Sequence, residues 1–199
     1  MSGFAKKCER GAQKRKNLRD KQQRRQELLN KIPKVTIKFL SKFEYDSHLV
    51  VAVQNCIEHG VFDTDIHPAN ILINTNTLDL KLIDFSCGQL FTAAGYQKND
   101  YRGAPSYCPP EILSKPRFHA IPANVWHLGL ILYEMVNGSL PCTDSAEILF
   151  ENPYVSKECR SVVKMCLAHD QAKRPMLEQI VQHRWFSGTR SLRCEFSLS

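Results

Sequence analysis

The 199-residue sequence lacks three features that would each have pointed to a particular class of protein. It has no apolar run of about 20 residues, the length that a helix needs to cross a bilayer, so we expect no membrane contact. Its eight cysteines include no C-x-x-C pair, and no apolar segment typical of a secretory signal follows Met1. We therefore expect reduced thiols, mostly in an apolar core, and a cytoplasmic or nuclear location.

A glycine-rich phosphate loop is also missing. The chain has 9 glycines, and no two of them fall in a G-x-G-x-x-G arrangement, whose backbone covers nucleotide phosphates. A nucleotide bound to these 199 residues alone would therefore have to be held by other groups.

Positive charge is concentrated in one part of the chain. Residues 1–34 hold 12 Lys and Arg against 3 Asp and Glu, whereas the remainder holds 15 against 17. This composition predicts a basic arm, disordered or partly helical, that is separate from the folded domain. A weak contact with an anionic or nucleic-acid partner is expected to use residues 6–34, and a merely solvated tail is the alternative interpretation.

The rest of the chain carries mixed secondary-structure signals. Residues 35–40 alternate like a strand, and apolar residues then recur at helical spacing from Leu49 to Ile57 before Gly60 ends the pattern. Further helices are predicted at 122–137, 144–150, 156–168 and 176–183.

Asn70 and Asp84 are predicted to lie side by side at the two ends of a β-hairpin. Residues 71–74 and 78–83 alternate apolar and polar side chains on either side of a polar turn. Because a hairpin returns the chain to its starting point, it brings Asp84 back to Asn70 and leaves Asp65 close by on the preceding loop.

These three side chains suit magnesium-dependent phosphotransfer. The carboxylate of Asp65 can receive the proton of a hydroxyl group. The carboxamide of Asn70 and the carboxylate of Asp84 are hard oxygen ligands of the kind that Mg²⁺ prefers. Loop capping is the structural alternative for Asp65 and Asn70, since both residue types favour turns in any protein.

The spacing D-x-x-x-x-N, followed by D-F at the far end of a hairpin, resembles the catalytic loop and metal-binding segment of protein kinases. Further segments resemble kinase motifs in the same order: residues 103–111 the substrate-docking loop and A-P-E, residues 124–129 D-x-W-S-x-G, Arg174-Pro175 the arginine that pairs with the A-P-E glutamate, and residues 183–186 the H-P-W-F ending. Three features are most similar to the Pim serine/threonine kinases: residues 81–85, the Pro109-Pro110-Glu111 form, and Val125-Trp126 preceded by a residue other than aspartate.

The resemblance implies an α+β, protein kinase-like fold. Its C-terminal lobe is mainly α-helical with a short β-hairpin, and its N-terminal lobe is truncated. The expected organisation is a basic arm at 1–34, a remnant of an N-lobe strand at 35–45, the kinase C-terminal lobe at 46–187 and a tail at 188–199.

The same resemblance implies roles for individual residues. Asp65 and His67 are expected to be catalytic, while Asn70 and Asp84 hold Mg²⁺ against the phosphates of ATP. Lys38 ends a V-T-I-K segment similar to V-A-I-K, whose lysine grips the α- and β-phosphates. An ordinary amphipathic strand is the alternative for that segment.

Two distant residues, Glu111 and Arg174, are expected to form a structural ion pair that joins the docking loop to the C-terminal helices. This expectation also comes from the resemblance, since nothing in the local pattern links the two.

The sequence departs from the family pattern close to the reacting groups. H-R-D reads D-T-D at residues 63–65, so the packing histidine and the phosphate-docking arginine are absent. The catalytic-loop lysine is replaced by His67, and histidine is mostly neutral near pH 7. The docking-loop threonine is Ala104, and the D-F-G glycine is Ser86, which has less backbone freedom.

We therefore expect a serine/threonine protein kinase by family, which transfers phosphate from Mg-ATP to protein hydroxyls, and which is inactive or very weak as this chain. The alternative is a non-catalytic pseudokinase module. Such a module would bind a protein partner through the docking groove and an anionic partner through the basic arm.

Overall fold

The computed structural model describes residues 42–74, 76–77, 79–142 and 148–186, with the side chains of 42–46 excepted. The basic arm, the strand-like segment 35–40 with Lys38, and the tail 188–199 lie outside the described residues, so the predictions made for them stay predictions. No helix in the described part of the chain is long and apolar enough to cross a membrane.

Five α-helices and three small antiparallel sheets make up the described part, which matches the predicted α+β class. The helices are α1 (Lys42–Glu58), α2 (Pro110–Ser114), α3 (Ala120–Asn137), α4 (Lys157–Cys166) and α5 (Leu177–Val181). The strands are β1 (Val61–Asp63), β2 (Ile71–Ile73), β3 (Leu80–Leu82), β4 (Gly88–Leu90), β5 (Tyr96–Gln97) and β6 (Arg117–Phe118), paired β1 with β4, β2 with β3 and β5 with β6.

Helix α3 forms the centre of the core. It is buried on nearly every side, as expected for a helix whose apolar residues are not confined to one face. Pro122 lies in its first turn, where the missing N–H costs nothing, and Gly138 ends it in the left-handed conformation at φ 84°. The two fully buried cysteines of α4, Cys159 and Cys166, belong to the same core.

Helix α1 corrects the predicted domain boundary. Residues 42–45 were assigned to a strand remnant, but they form the first turn of this helix. The segment from Lys42 to Glu58 contains no proline or glycine, so nothing stops the helix from extending in front of its buried face. Gly60, at φ 77°, follows its C-terminal end as predicted.

The predicted hairpin is present as β2 and β3. Ile71 pairs with Leu82, Leu72 with Lys81 and Ile73 with Leu80. Beyond the last pair, the N–H of Ile83 donates to the carbonyl of Asn70 at 2.9 Å. The main chain just before Asp84 is therefore bonded to Asn70, as the alternating pattern predicted.

The helix predicted at 144–150 is corrected over its last residues. Residues 143–147 lie outside the described part, and 148–150 are not helical. The carbonyl of Leu149 accepts the hydroxyl of Tyr133 at 2.7 Å. This tertiary contact holds the segment in a non-helical conformation.

Two further helices are shorter than predicted. α4 ends at Cys166 and not at Ala168, whose carbonyl accepts Nε of Arg174 at 2.8 Å. α5 spans Leu177–Val181 within the predicted 176–183.

The predicted pair of Glu111 and Arg174 is present and buried. The guanidinium donates to both carboxylate oxygens, from Nη1 at 2.8 Å and from Nη2 at 2.6 Å. Nη1 also donates to the carbonyl of Pro122 at 2.8 Å, and the guanidinium lies 4.8 Å from the centre of the Trp126 ring. One side chain thus connects helix α2, the start of helix α3 and the segment after helix α4.

Replacing Glu111 by alanine should lower the free energy of unfolding by about 3–5 kcal/mol, because Arg174 would stay buried without its counter-charge. Chemical denaturation measures this loss. The matched control, Glu178→Ala, removes an exposed glutamate and should change stability by less than about 0.5 kcal/mol. A loss below about 1 kcal/mol for Glu111→Ala would contradict the role given to the pair.

Candidate active site

Strand β1 leads into the candidate site, and its pairing with β4 brings two chain segments together. Asp63 is opposite Gly88 in this sheet. Next to that pair, the hydroxyl of Thr64 donates to the carbonyl of Cys87 at 3.2 Å. The loop that contains Asp65 is therefore bonded to the residues that immediately follow Asp84.

The loop from Asp65 to Asn70 is closed by hydrogen bonds within itself. A 3-10 turn, Pro68–Asn70, ends it, and the N–H of Asn70 donates to the carbonyl of His67 at 2.9 Å. The buried carboxamide of Asn70 donates to the carbonyl of Asp65 at 2.9 Å and to its Oδ2 at 3.3 Å. The structure thus brings Asp65 and Asn70 into direct contact, as their spacing predicted.

The carboxylate of Asp65 has several partners. Its Oδ1 accepts the backbone N–H of Ala104 at 2.8 Å and lies 3.4 Å from Nε2 of His67. The Ala104 N–H therefore reaches Asp65 although the threonine hydroxyl of the family motif is absent. These donors fix the orientation of Asp65, and they also engage the lone pairs with which it would receive a proton.

Close packing at Gly103 makes the contact of Ala104 with Asp65 possible. A Cβ atom added to Gly103 would lie 1.8 Å from the carbonyl oxygen of Thr64, so no other residue type fits there without movement of the backbone. The docking loop is therefore held directly against the catalytic loop.

His67 lies between the other two groups of the loop. Its Nε2 is 3.2 Å from Nδ2 of Asn70, and its ring centroid is 5.6 Å from that of Tyr107. In the tautomer with a lone pair at Nε2 the ring accepts from Asn70, and with a proton there it donates to Asp65. His67 is thus placed among the predicted site residues.

Asp84 follows strand β3 with a left-handed backbone, φ 63° and ψ 61°. It is the one residue other than glycine with a positive φ among the described residues. Such a conformation typically costs about 1 kcal/mol or more and is concentrated at functional positions. Its carboxylate acts electrostatically on Asp63, which places it near the loop that holds Asp65.

The donor set fits Mg²⁺ bound together with phosphates. The NH₂ group of Asn70 donates to Asp65, and the side chains of Asn70 and Asp84 both carry hard oxygen atoms of the kind that Mg²⁺ prefers. Across the described part of the chain, no group of three or more His, Cys, Asp or Glu forms a metal cage. Mg²⁺ usually relies on one or two carboxylates plus substrate phosphates and waters, so two protein ligands are an ordinary number for it.

Asp63 is a site residue whose role the sequence reasoning missed. Its side chain is 4 % exposed, and its Oδ1 accepts the N–H of Asp65 at 3.0 Å. Burial, and then the nearby carboxylates of Asp65 and Asp84, raise its pKa to about 6. The available signal was the first D of D-T-D, which was interpreted only as the loss of a histidine.

Two tyrosines attach the segment between Asp84 and Glu111 to the central helix. The hydroxyl of Tyr101 lies 3.2 Å from Nε2 of His127, and that of Tyr107 donates to the carboxylate of Glu134. Full burial lowers the pKa of His127 to about 3, so this histidine is neutral. The segment is therefore held by uncharged groups on one side and a carboxylate on the other, with no phosphate needed for these contacts.

Comparisons with known proteins agree with this arrangement. Residues 21–186 match the protein kinase domain family. The chain is 39% identical over 141 residues to serine/threonine-protein kinase pim-2 of Danio rerio, which covers 69% of this chain and 45% of that protein. It is 34% identical over 147 residues to serine/threonine-protein kinase prk-2 of Caenorhabditis elegans, covering 69% and 32%.

A further relative is serine/threonine-protein kinase SIK2 of Gallus gallus, 32% identical over 161 residues that cover 76% of this chain and 20% of that protein. The chain thus spans less than half the length of these relatives. The family match begins inside the residues 1–34 that were assigned to the basic arm.

Replacing Asp63 by asparagine should stabilise the chain at neutral pH. A raised folded-state pKa means that the protonated form is favoured, so this contribution is complete below about pH 4 and is lost as pH rises through about 6. A difference of two pKa units is worth up to about 3 kcal/mol, so the variant should gain about 1–3 kcal/mol at pH 7.5 and much less at pH 4.5. Urea denaturation at both pH values measures the gain.

The matched control for this prediction is Asp79→Asn, which changes an exposed aspartate. Its effect on stability should be within about 0.5 kcal/mol at both pH values. An Asp63→Asn variant that is less stable than the unmodified chain at pH 7.5 would contradict the unfavourable ionisation of Asp63.

Proposed function

Because the chain belongs to the serine/threonine protein kinases, we propose that it forms the lobe that binds the phosphate acceptor, and that these 199 residues alone are inactive or very weak in phosphotransfer from Mg-ATP. The observation that supports this proposal is the bonded arrangement of Asp65 and Asn70, with the chain before Asp84 attached to Asn70 through the hairpin.

In the proposed reaction, Asp65 orients a serine or threonine hydroxyl and receives its proton. Asn70 and Asp84 would hold Mg²⁺, which supplies charge neutralisation for the phosphates of ATP. Most catalysis of phosphoryl transfer is positioning and electrostatic stabilisation, so the hydrogen bonds that fix Asp65 are the main contribution of this chain.

Two departures from the family motif support the expectation that catalysis is weak. His67 stands where the family lysine would neutralise the transferred phosphoryl group, and Ala104 stands where the threonine hydroxyl would be. Each lost donor can cost on the order of 10²–10³ in rate, by analogy with the removal of a donor from an oxyanion hole, and the losses need not add. The 199 residues also contain no G-x-G-x-x-G loop. Lys38, the lysine of the V-T-I-K segment, lies outside the described residues, and its contact with the phosphates remains a proposal.

A non-catalytic interaction module is the second candidate. The donors from Ala104, Asn70 and His67 occupy the carboxylate of Asp65, and Tyr101 and Tyr107 attach the docking segment to helix α3. Such a module would present this segment to a protein partner in the cytoplasm or nucleus, and the basic residues within 6–34 would contact an anionic or nucleic-acid partner.

We expect the 199-residue chain to show no saturable Mg-ATP binding below roughly millimolar concentration, and little or no transfer of the γ-phosphate to a serine peptide. Restoring the missing donors with His67→Lys and Ala104→Thr together should raise transfer on the order of 10²-fold. Radiolabelled phosphate transfer measures both, and Asp65→Asn in the same double variant is the control that should abolish the gain.

Two results would contradict this proposal in different ways. Efficient transfer by the unmodified chain, lost in Asp65→Asn and in Asp84→Asn, would show an active kinase and exclude the weak-activity reading. A gain in the double variant that persists with Asp65→Asn would mean that Asp65 is not the residue that receives the proton.

Any oligonucleotide affinity of the basic arm should fall steeply with salt. The logarithm of the binding constant should decline against the logarithm of salt concentration with a slope of about −0.7 to −0.9 for each phosphate neutralised. Fluorescence anisotropy between 50 and 300 mM salt, at roughly physiological pH, measures the slope. A chain that begins at residue 35 is the control and should not bind, while a salt-independent affinity would contradict an electrostatic contact.

A further inference from the structure

Asp63 and Asn124 both stand where the general protein kinase motifs have another residue. The first position of H-R-D is an aspartate here, and the first position of D-x-W-S-x-G is an asparagine. The structure joins these two residues, which are 61 positions apart: Nδ2 of Asn124 donates to the carbonyl oxygen of Asp63 at 2.7 Å. Both residues are buried: Asp63 is 4% exposed and Asn124 is 1% exposed.

The side chain of Asp63 faces the reacting loop. Its Oδ1 accepts the N–H of Asp65 at 3.0 Å, so the backbone of Asp65 is fixed from this side. On the other side, the carboxylate of Asp65 accepts the N–H of Ala104 at 2.8 Å. Asp65 is therefore held between an acceptor on the strand before it and a donor on the docking loop.

We propose that Asp63, anchored by Asn124, is the positioning residue that fixes the orientation of Asp65 in this chain. The carboxamide of Asn124 holds the main chain at Asp63, and the carboxylate of Asp63 holds the main chain at Asp65. The proposal rests on the proposed function only in that Asp65 is the group that receives the proton. Its tests below measure the hydrogen bonds themselves and need no activity.

Residue 124 has to be a donor in this arrangement. A carboxylate at that position would place an acceptor oxygen about 2.7 Å from the Asp63 carbonyl, in a buried environment where two acceptors cannot both be satisfied. It would also add negative charge beside Asp63, whose ionisation the carboxylates of Asp65 and Asp84 already disfavour. A carboxylate at position 124 would therefore lose this hydrogen bond to the main chain at Asp63.

Amide hydrogen exchange, followed by NMR, tests the role of Asp63. Asp63→Leu removes the acceptor and should accelerate exchange of the Asp65 and Ala104 amides about fivefold or more, the change expected for one hydrogen bond. Asp63→Asn keeps an acceptor oxygen and, at about pH 4.5, where the expected stability difference is small, should leave both rates within about twofold. The Leu167 amide, which donates to Val163 in a distant helix, is the internal control and should not change.

Unchanged exchange of the Asp65 amide in Asp63→Leu, or equal acceleration in Asp63→Asn, would overturn the proposal.

A second measurement needs only Asp63→Asn, in case Asp63→Leu does not fold. The Asp65 amide proton should shift with pH near 6 in the unmodified chain and lose that inflection in Asp63→Asn. The other titratable groups that act on or near Asp63 are Asp65, Asp84, Cys56 and Cys87, and all are retained in this variant. Because His67 lies 3.4 Å from Oδ1 of Asp65 and histidines commonly titrate in this pH range, the comparison is made with His67→Gln in both proteins. An inflection that persists unchanged would overturn the proposal.

The pairing with Asn124 is tested by a double-mutant comparison. Asn124→Asp should accelerate exchange of the Asp65 amide about tenfold in the unmodified background and clearly less in the Asp63→Asn background, because the repulsion between two carboxylates is then removed. Equal acceleration in both backgrounds would show that the two side chains act independently and would overturn the pairing.

Discussion

Burial of a permanently charged guanidinium sets the arrangement of the C-terminal half of this structure. Arg174 is 7% exposed, and an uncompensated charge at such a position would cost several kcal/mol. Its acceptors come from Glu111, Pro122 and Ala168, so three separate chain segments have to be in place together. The docking loop that precedes Glu111 takes its position from this condition, and with it the N–H of Ala104 that reaches Asp65.

Negative charge is concentrated at the other end of this arrangement. The pKa of Asp63 is raised first by burial and then by the nearby carboxylates of Asp65 and Asp84. The carboxylates that disfavour ionisation of Asp63 would favour the divalent cation proposed for Asn70 and Asp84. If that cation binds as proposed, stability and cation affinity make opposite demands on these residues.

Local patterns in the sequence were sufficient for the hairpin, for the ends of helices at Gly60 and Gly138, and for the proximity of Asn70 to the chain before Asp84. The contact between Glu111 and Arg174 spans 63 positions and was expected only because of the family resemblance. The start of helix α1 was missed because no local stop signal marks it. Residues 148–150 were predicted as the end of a helix, and the contact of Tyr133 with the carbonyl of Leu149 is a tertiary one that no local pattern encodes. The role of Asp63 depends on its burial, which no local pattern encodes.

The buried thiol of Cys166 gives this lobe an internal chemical reporter. Burial raises its pKa to about 12, and the thiolate is the reactive form, so in the closed lobe it is both shielded and unreactive. The thiol of Cys142 is exposed in the same chain and can react without any opening. The ratio of the two labelling rates therefore reports how often the core around helices α3 and α4 opens, without any introduced probe.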